Sequence, residues 1–132
     1  MFGVGRHLAA LPVSLVAGCL MFAGALSASA ACDMERAEKV QQQCQVCHTL
    51  EEGAPHTTGP NLYGIWNRPA AAIEGFAYSP VLRKSGLVWD EETLDQFLAA
   101  PQDMLPYNRM AFGGVTNEAD RNAIVCLLKS LQ

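Results

Sequence analysis

Two cysteines two residues apart, with a histidine directly after the second, stand at Cys44-Gln45-Val46-Cys47-His48. On one helical turn such thiols face the same way, so each can form a thioether to a haem vinyl while the adjacent imidazole reaches the iron. This is the attachment signature of a c-type haem. Other chemistries fit less well. A structural zinc site needs a second ligand pair, and past residue 30 only Cys32, Cys126 and His56 remain, widely scattered. A thioredoxin-like redox pair belongs near a βαβ pattern, and no strand pattern flanks this one. The spacing predicts one covalently bound haem c, with Cys44 and Cys47 as anchors and His48 as an axial ligand.

The iron's other face decides the function. An open position permits ligand binding or catalysis, as in a haem enzyme such as a small peroxidase, or a gas sensor. A second protein ligand favours electron transfer, and methionine raises the potential. Past residue 30 the candidates are Met34, Met104 and Met110. Met34 falls on the helix expected to carry the attachment site, too near the proximal side to reach across. Met104 and Met110 lie in a Pro-rich loop, residues 101–114, that could bring either to the iron. Methionine also serves as core filler, and the residues alone leave the choice open.

The elements that must position these residues are mostly helical. Residues 1–30 read as a secretory signal peptide: Arg6 and His7, an apolar run over 8–26, and the small-residue site Ala28-Ser29-Ala30. A retained membrane anchor and a lipoprotein box ending at Cys19 are the alternatives. Residues 31–132 then form one domain of 102 residues, small for a self-sufficient core. A large apolar cofactor bonded into its centre relieves that shortage.

Asp33 caps a first helix running to about Cys47, with Met34, Ala37, Gln41 and Cys44 at helical spacing on its inner face. From Thr49 to Trp89 glycines and prolines break any periodicity. A loop this long is ordered when it wraps an internal cofactor. Asp90 caps a second helix, Trp89 staples onto Leu94, Phe97 and Leu98 continue the inner face, and Pro101 ends it. A third begins near Thr116 or Asn117, with Ala123, Ile124, Leu127, Leu128 and Leu131 on one face. The fold class is all-α.

Without Arg6, eight basic residues stand against thirteen acidic, a formal charge of −5. Such a balance suits neither nucleic acid nor an anionic membrane surface. Cys32 and Cys126 are left over from haem attachment, near opposite chain ends. In an oxidising compartment they invite a disulfide, which requires the terminal helices to cross.

Taken together, several stretches resemble the class I soluble c-type cytochromes of the mitochondrial and bacterial cytochrome c type. They are Cys44-x-x-Cys47-His48, Thr58-Gly59-Pro60-Asn61-Leu62, Arg68, Gly75-Phe76-x-Tyr78, Trp89 to Leu94, Pro106-x-Asn108-Arg109-Met110-x-Phe112, and the terminal helix. The resemblance needs no gap from Cys44 to Met110. It implies the cytochrome c fold, with crossing N- and C-terminal helices, a middle helix and long loops around one haem. It further implies that His48 and Met110 ligate the metal, with the Pro60 carbonyl holding the other nitrogen of His48. Arg68, Tyr78, Trp89 and Asn108 are implied as hydrogen-bond donors to the propionates, and His56 as a tie between loops. The implied function is a periplasmic, monomeric one-electron carrier and not an enzyme. Its partners would be redox proteins, a dehydrogenase as donor and an oxidase or reaction centre as acceptor, with membrane contact only through them.

Four departures stand out. The family usually has glycine and an aromatic where its first helix crosses its last, and Ala37 and Gln41 stand there instead. Phe97 replaces a tyrosine whose hydroxyl bonds the methionine sulfur, Tyr107 replaces a glycine, and Leu82 replaces a polar residue. Lys39, Lys84 and Lys129 are too few to form the cationic ring of the mitochondrial relatives.

Overall fold

The structure is a computed structural model that describes residues 1–3 and 31–132. The expected signal peptide, and with it the anchor and lipoprotein alternatives, lies outside the described residues except for its first three. The described residues form helices α1 (Met34–Gln45), α2 (Pro80–Lys84), α3 (Glu91–Ala99), α4 (Pro101–Met104) and α5 (Glu118–Ser130). α1 packs across α5, α3 packs against α5, and α4 continues from α3. This is the all-α arrangement anticipated, with terminal helices in contact and a middle helix beside them.

Each longer helix starts where a side chain satisfies an otherwise orphaned N–H. Asp33 accepts from Arg36 N at 3.0 Å, Asp90 from Thr93 N at 2.8 Å, and Asn117 from Asp120 N at 3.0 Å. α3 stops at Ala99, ahead of Pro101, but Pro101 also opens α4 at a position where its missing N–H costs nothing. α2 was not anticipated. Ser79 caps it and Pro80 is its first residue, so a proline read only as a break is here a helix start.

The seam of α1 also differs from the expected stripe. Ala37 is fully buried and Val40 nearly so, whereas Met34 is exposed and Gln41 lies at the rim. Residues 37, 40 and 44 join the core from α1, while Met34 stays outside it. Opposite them Ala123, Ile124, Leu127 and Leu128 of α5 meet Leu94, Phe97 and Leu98 of α3 in one core. Trp89 lies in the same core as Leu94 and meets Phe97 with ring centroids 5.0 Å apart and the planes tilted by 57°.

Covalent and ionic links reinforce the crossing. Cys32 and Cys126 form a disulfide with Cα atoms 5.8 Å apart. Arg36 reaches from α1 to Asp120 of α5 at 2.7 Å, and Arg121 from α5 to Asp95 of α3 at 2.8 Å. The chain between α4 and α5 returns to the core through Gly114, whose φ of +96° and close approach to the Ala99 carbonyl exclude a side chain. Val115 N then donates to Leu98 O at 2.7 Å, closing this return on the end of α3.

Candidate haem site

The attachment motif spans the end of α1. Cys44 is in its last turn, and the N–H groups of Cys47 and His48 both donate to the Cys44 carbonyl, at 3.0 and 2.9 Å. One further tight turn therefore follows the helix and brings both cysteines and the histidine together. Both thiols are free and half-buried. Burial pushes the Cys44 thiol up, which disfavours the thiolate that metal binding or disulfide exchange would need. Among the described residues no group of three His, Cys, Asp or Glu side chains converges as a metal site.

A small platform fixes His48. Its Nδ1 lies 2.7 Å from the Pro60 carbonyl. A carbonyl only accepts, so Nδ1 carries the proton and Nε2 presents a lone pair, the form needed to ligate a metal. Burial lowers the His48 pKa, which keeps the ring neutral. A Cβ on Gly59 would lie 2.6 Å from Nδ1 and 2.8 Å from Nε2, so the ring rests directly on this residue's backbone. Gly59 N in turn donates to Cys47 O at 2.6 Å, and the Thr57 hydroxyl donates to the same carbonyl.

Behind the platform, buried Asn61 gives its two N–H bonds to the Glu51 and Ala54 carbonyls, both at 2.8 Å, and accepts from Tyr63 N. His56 accepts from Asn61 N and donates to Glu74 O, each at 3.0 Å, tying two loops together.

Arg68, Tyr78 and Trp89 come together on the long loop. Trp89 N donates to Arg68 O at 3.0 Å, and Asn67 N to Trp89 O at 3.0 Å. The half-buried Arg68 guanidinium donates only to neutral carbonyls, Tyr63 O at 3.0 Å and Asn61 O at 3.4 Å. Burial lowers its pKa, with the nearby Tyr78 pulling the other way. Burial likewise raises the pKa of the Tyr78 phenol, and Arg68 opposes that shift. A desolvated cation without a carboxylate partner beside a buried phenol suits an anionic group, such as the propionate edge of a haem.

Asn108 behaves differently. Both of its amide N–H groups go to carbonyls, of Pro101 and Leu105, each at 2.8 Å, leaving neither for a propionate. Its oxygen accepts from Met110 N at 2.8 Å, so the side chain fastens the methionine loop. Gln102 donates to Met110 O at 2.8 Å from the other side. Met104 and Met110 both pack, half-buried, against the core. Between them Tyr107 adopts φ +66° and is 87% exposed, occupying with a side chain the left-handed conformation that favours glycine. The Thr58-Gly59-Pro60-Asn61-Leu62 stretch is the sequence signal for the place of Gly59 under the ring, and nothing in the sequence marks Gln102 as a partner of Met110.

Comparison with known proteins places this geometry. The chain is 42% identical over 100 residues to a cytochrome c2 of Rhodoblastus acidophilus, covering 76% of this chain and 94% of that protein. It is 36% identical over 115 residues to a cytochrome c2 of Blastochloris viridis, covering 87% and 91%. The chain belongs to the cytochrome c family. A cytochrome c of Kluyveromyces lactis is 42% identical over 83 residues, covering 63% of this chain and 76% of that protein. No protein-family model matches. As a cytochrome c the chain is an electron carrier and not an enzyme, its cofactor is haem c, and redox proteins are its partners. No helix among the described residues is long and apolar enough to cross a membrane.

Proposed function

We propose that this cytochrome c is a periplasmic one-electron shuttle in which Cys44 and Cys47 hold the haem and His48 and Met110 ligate its iron. The observation that carries the reading is the His48 platform: the Pro60 carbonyl accepts the Nδ1–H hydrogen bond and Gly59 leaves room for the ring, so Nε2 is presented as a fixed lone pair. When bound, haem c supplies a centre that gains and loses one electron. Arg68 would balance the charge of its propionates, the neutral Tyr78 phenol would donate a hydrogen bond to them, and Trp89, its indole packed on Phe97, would border them. Asn108 and Gln102 hold the Met110 backbone from two directions. A ligand that stays in place through the redox cycle keeps the reorganisation cost of each transfer low.

Arg109 does not favour a haem enzyme or gas sensor, because its guanidinium donates to Ala77 O at 3.1 Å and is tied to a loop. Residues 1–30 direct export, with cleavage after Ala30 and residues 31–132 as the mature domain. Ferric holoprotein should show the weak near-infrared methionine-to-iron band, lost in Met110→Ala and kept in Met104→Ala. A high-spin spectrum at neutral pH in the unaltered protein would overturn the reading.

A further inference from the structure

The segment from Pro101 to Met110 is closed on itself by two amide side chains, and one of them is exposed. Gln102, in the first turn of α4, donates through Nε2 to Met110 O at 2.8 Å, to Asn108 Oδ1 at 3.2 Å and, at the limit of 3.5 Å, to Asn108 O. Asn108 is half-buried and completes the circuit by bonding Pro101 O, Leu105 O and Met110 N. Both backbone polar groups of Met110 thus rest on the side chains of Asn108 and Gln102, besides the Phe112 N contact to Met110 O at 2.9 Å. Residues 110–117 have no helix or strand of their own to hold them. Phe97, in the core, has no hydroxyl to offer a sulfur.

We propose that Gln102 is a positioning residue for Met110, acting as the outer latch that sets how readily the methionine loop opens. The proposal rests on the reading of Met110 as the second axial ligand. The two amides divide the work by their surroundings. Asn108 is shielded, so breaking its bonds strands buried carbonyls. Gln102 is exposed, so water can take over its contacts and opening there is the cheaper route. Loosening the latch lets Met110 swing away while the Asn108 turn and the helical core stay formed. An external base then finds the sixth position more often, and its apparent affinity rises with the open fraction.

Imidazole binding to the ferric holoprotein at neutral pH, followed by the Soret shift, tests this. Gln102→Ala should bind imidazole roughly three- to tenfold more tightly, the fold-change carried by about one net hydrogen bond. Gln102→Glu keeps the shape but turns acceptors toward the Met110 and Asn108 oxygens, and should bind tighter still. Both variants should keep the near-infrared band without imidazole, and because the latch bonds exist only in the closed state, the stability measured by guanidinium unfolding should fall by no more than the free energy of the affinity rise. Unchanged imidazole affinity in both variants overturns the proposal, as does a loss of global stability well beyond that of the affinity rise, which would place the damage in the core and not in the loop. If the unaltered protein lacks the methionine band, the ligation reading has failed instead, and that result is visible before any variant is made.

Discussion

Replacing Cys32 by serine and Cys126 by alanine removes the disulfide between the terminal segments, whose two ends are 94 residues apart in sequence. A bridge mostly restricts the unfolded chain, and closing a loop of this length corresponds to about 4–5 kcal/mol at 25 °C. Two features lower that figure. The haem stays attached in the unfolded state and supplies residual contacts there, and the native α1–α5 crossing keeps Ala37, Ile124 and their neighbours packed without the bridge. The expected loss is therefore about 2–4 kcal/mol. Guanidinium unfolding of the ferric holoprotein, read by helical circular dichroism, measures it. The m-value should rise as well, because an unbridged chain exposes more surface on unfolding. The visible spectrum at neutral pH should not change, since His48 and the Met110 loop lie away from the bridge. A loss below about 1 kcal/mol with an unchanged m-value would refute the reasoning and leave the crossing to side-chain packing alone.

Two further outcomes follow from local contacts. Gly59→Ala forces a methyl group into the His48 ring; holoprotein should still form through the two thioethers but lose roughly 1–3 kcal/mol of stability and gain high-spin character at neutral pH, while a wild-type spectrum and unfolding midpoint would contradict the close approach. Asp90 has its pKa lowered from 3.8, chiefly by the Thr93 backbone N–H. Its capping contribution is therefore full above the unfolded value and is lost as pH falls through the lower folded value. Asp90→Asn keeps a cap that does not titrate, so its thermal midpoint should fall less between about pH 6 and about pH 3 than that of the unaltered protein. Parallel falls in the two proteins would count against the assignment.

What the sequence made legible was what short-range chemistry decides. Asp33, Asp90 and Asn117 announce helix starts because a cap and its N–H are three residues apart. The haem motif is equally local, and the two spare cysteines pointed to their bridge because few other arrangements were open to them. Pro80, one of the prolines that break the periodicity of the long loop, begins α2 because Ser79 caps the turn that follows, and only that turn distinguishes a helix start from a break. Val40 was missed because the seam of α1 depends on where α5 crosses it. The approach of Gly59 to His48 and the grip of Gln102 on Met110 depend on the tertiary path of the chain, which no periodicity records. Asn108 shows the same limit: its type suits a propionate, but the turn around it claims both of its N–H groups first.

The bridge between Cys32 and Cys126 bears on how the protein is made as well as how it endures. On the reading proposed above, in which residues 1–30 are removed on export, Cys32, Cys44, Cys47 and Cys126 meet an oxidising compartment together, and of the single bridges they could form, only the one between Cys32 and Cys126 leaves Cys44 and Cys47 together as reduced thiols for the haem. The 94-residue separation makes it the least probable bridge in an unfolded chain, where Cys44 and Cys47 meet far more often. Maturation thus needs either a reductant that keeps the close pair open or helices that have already met when oxidation occurs. The terminal crossing then acts as a proofreader, directing oxidation to the ends of the chain and sparing the thiols that take the haem.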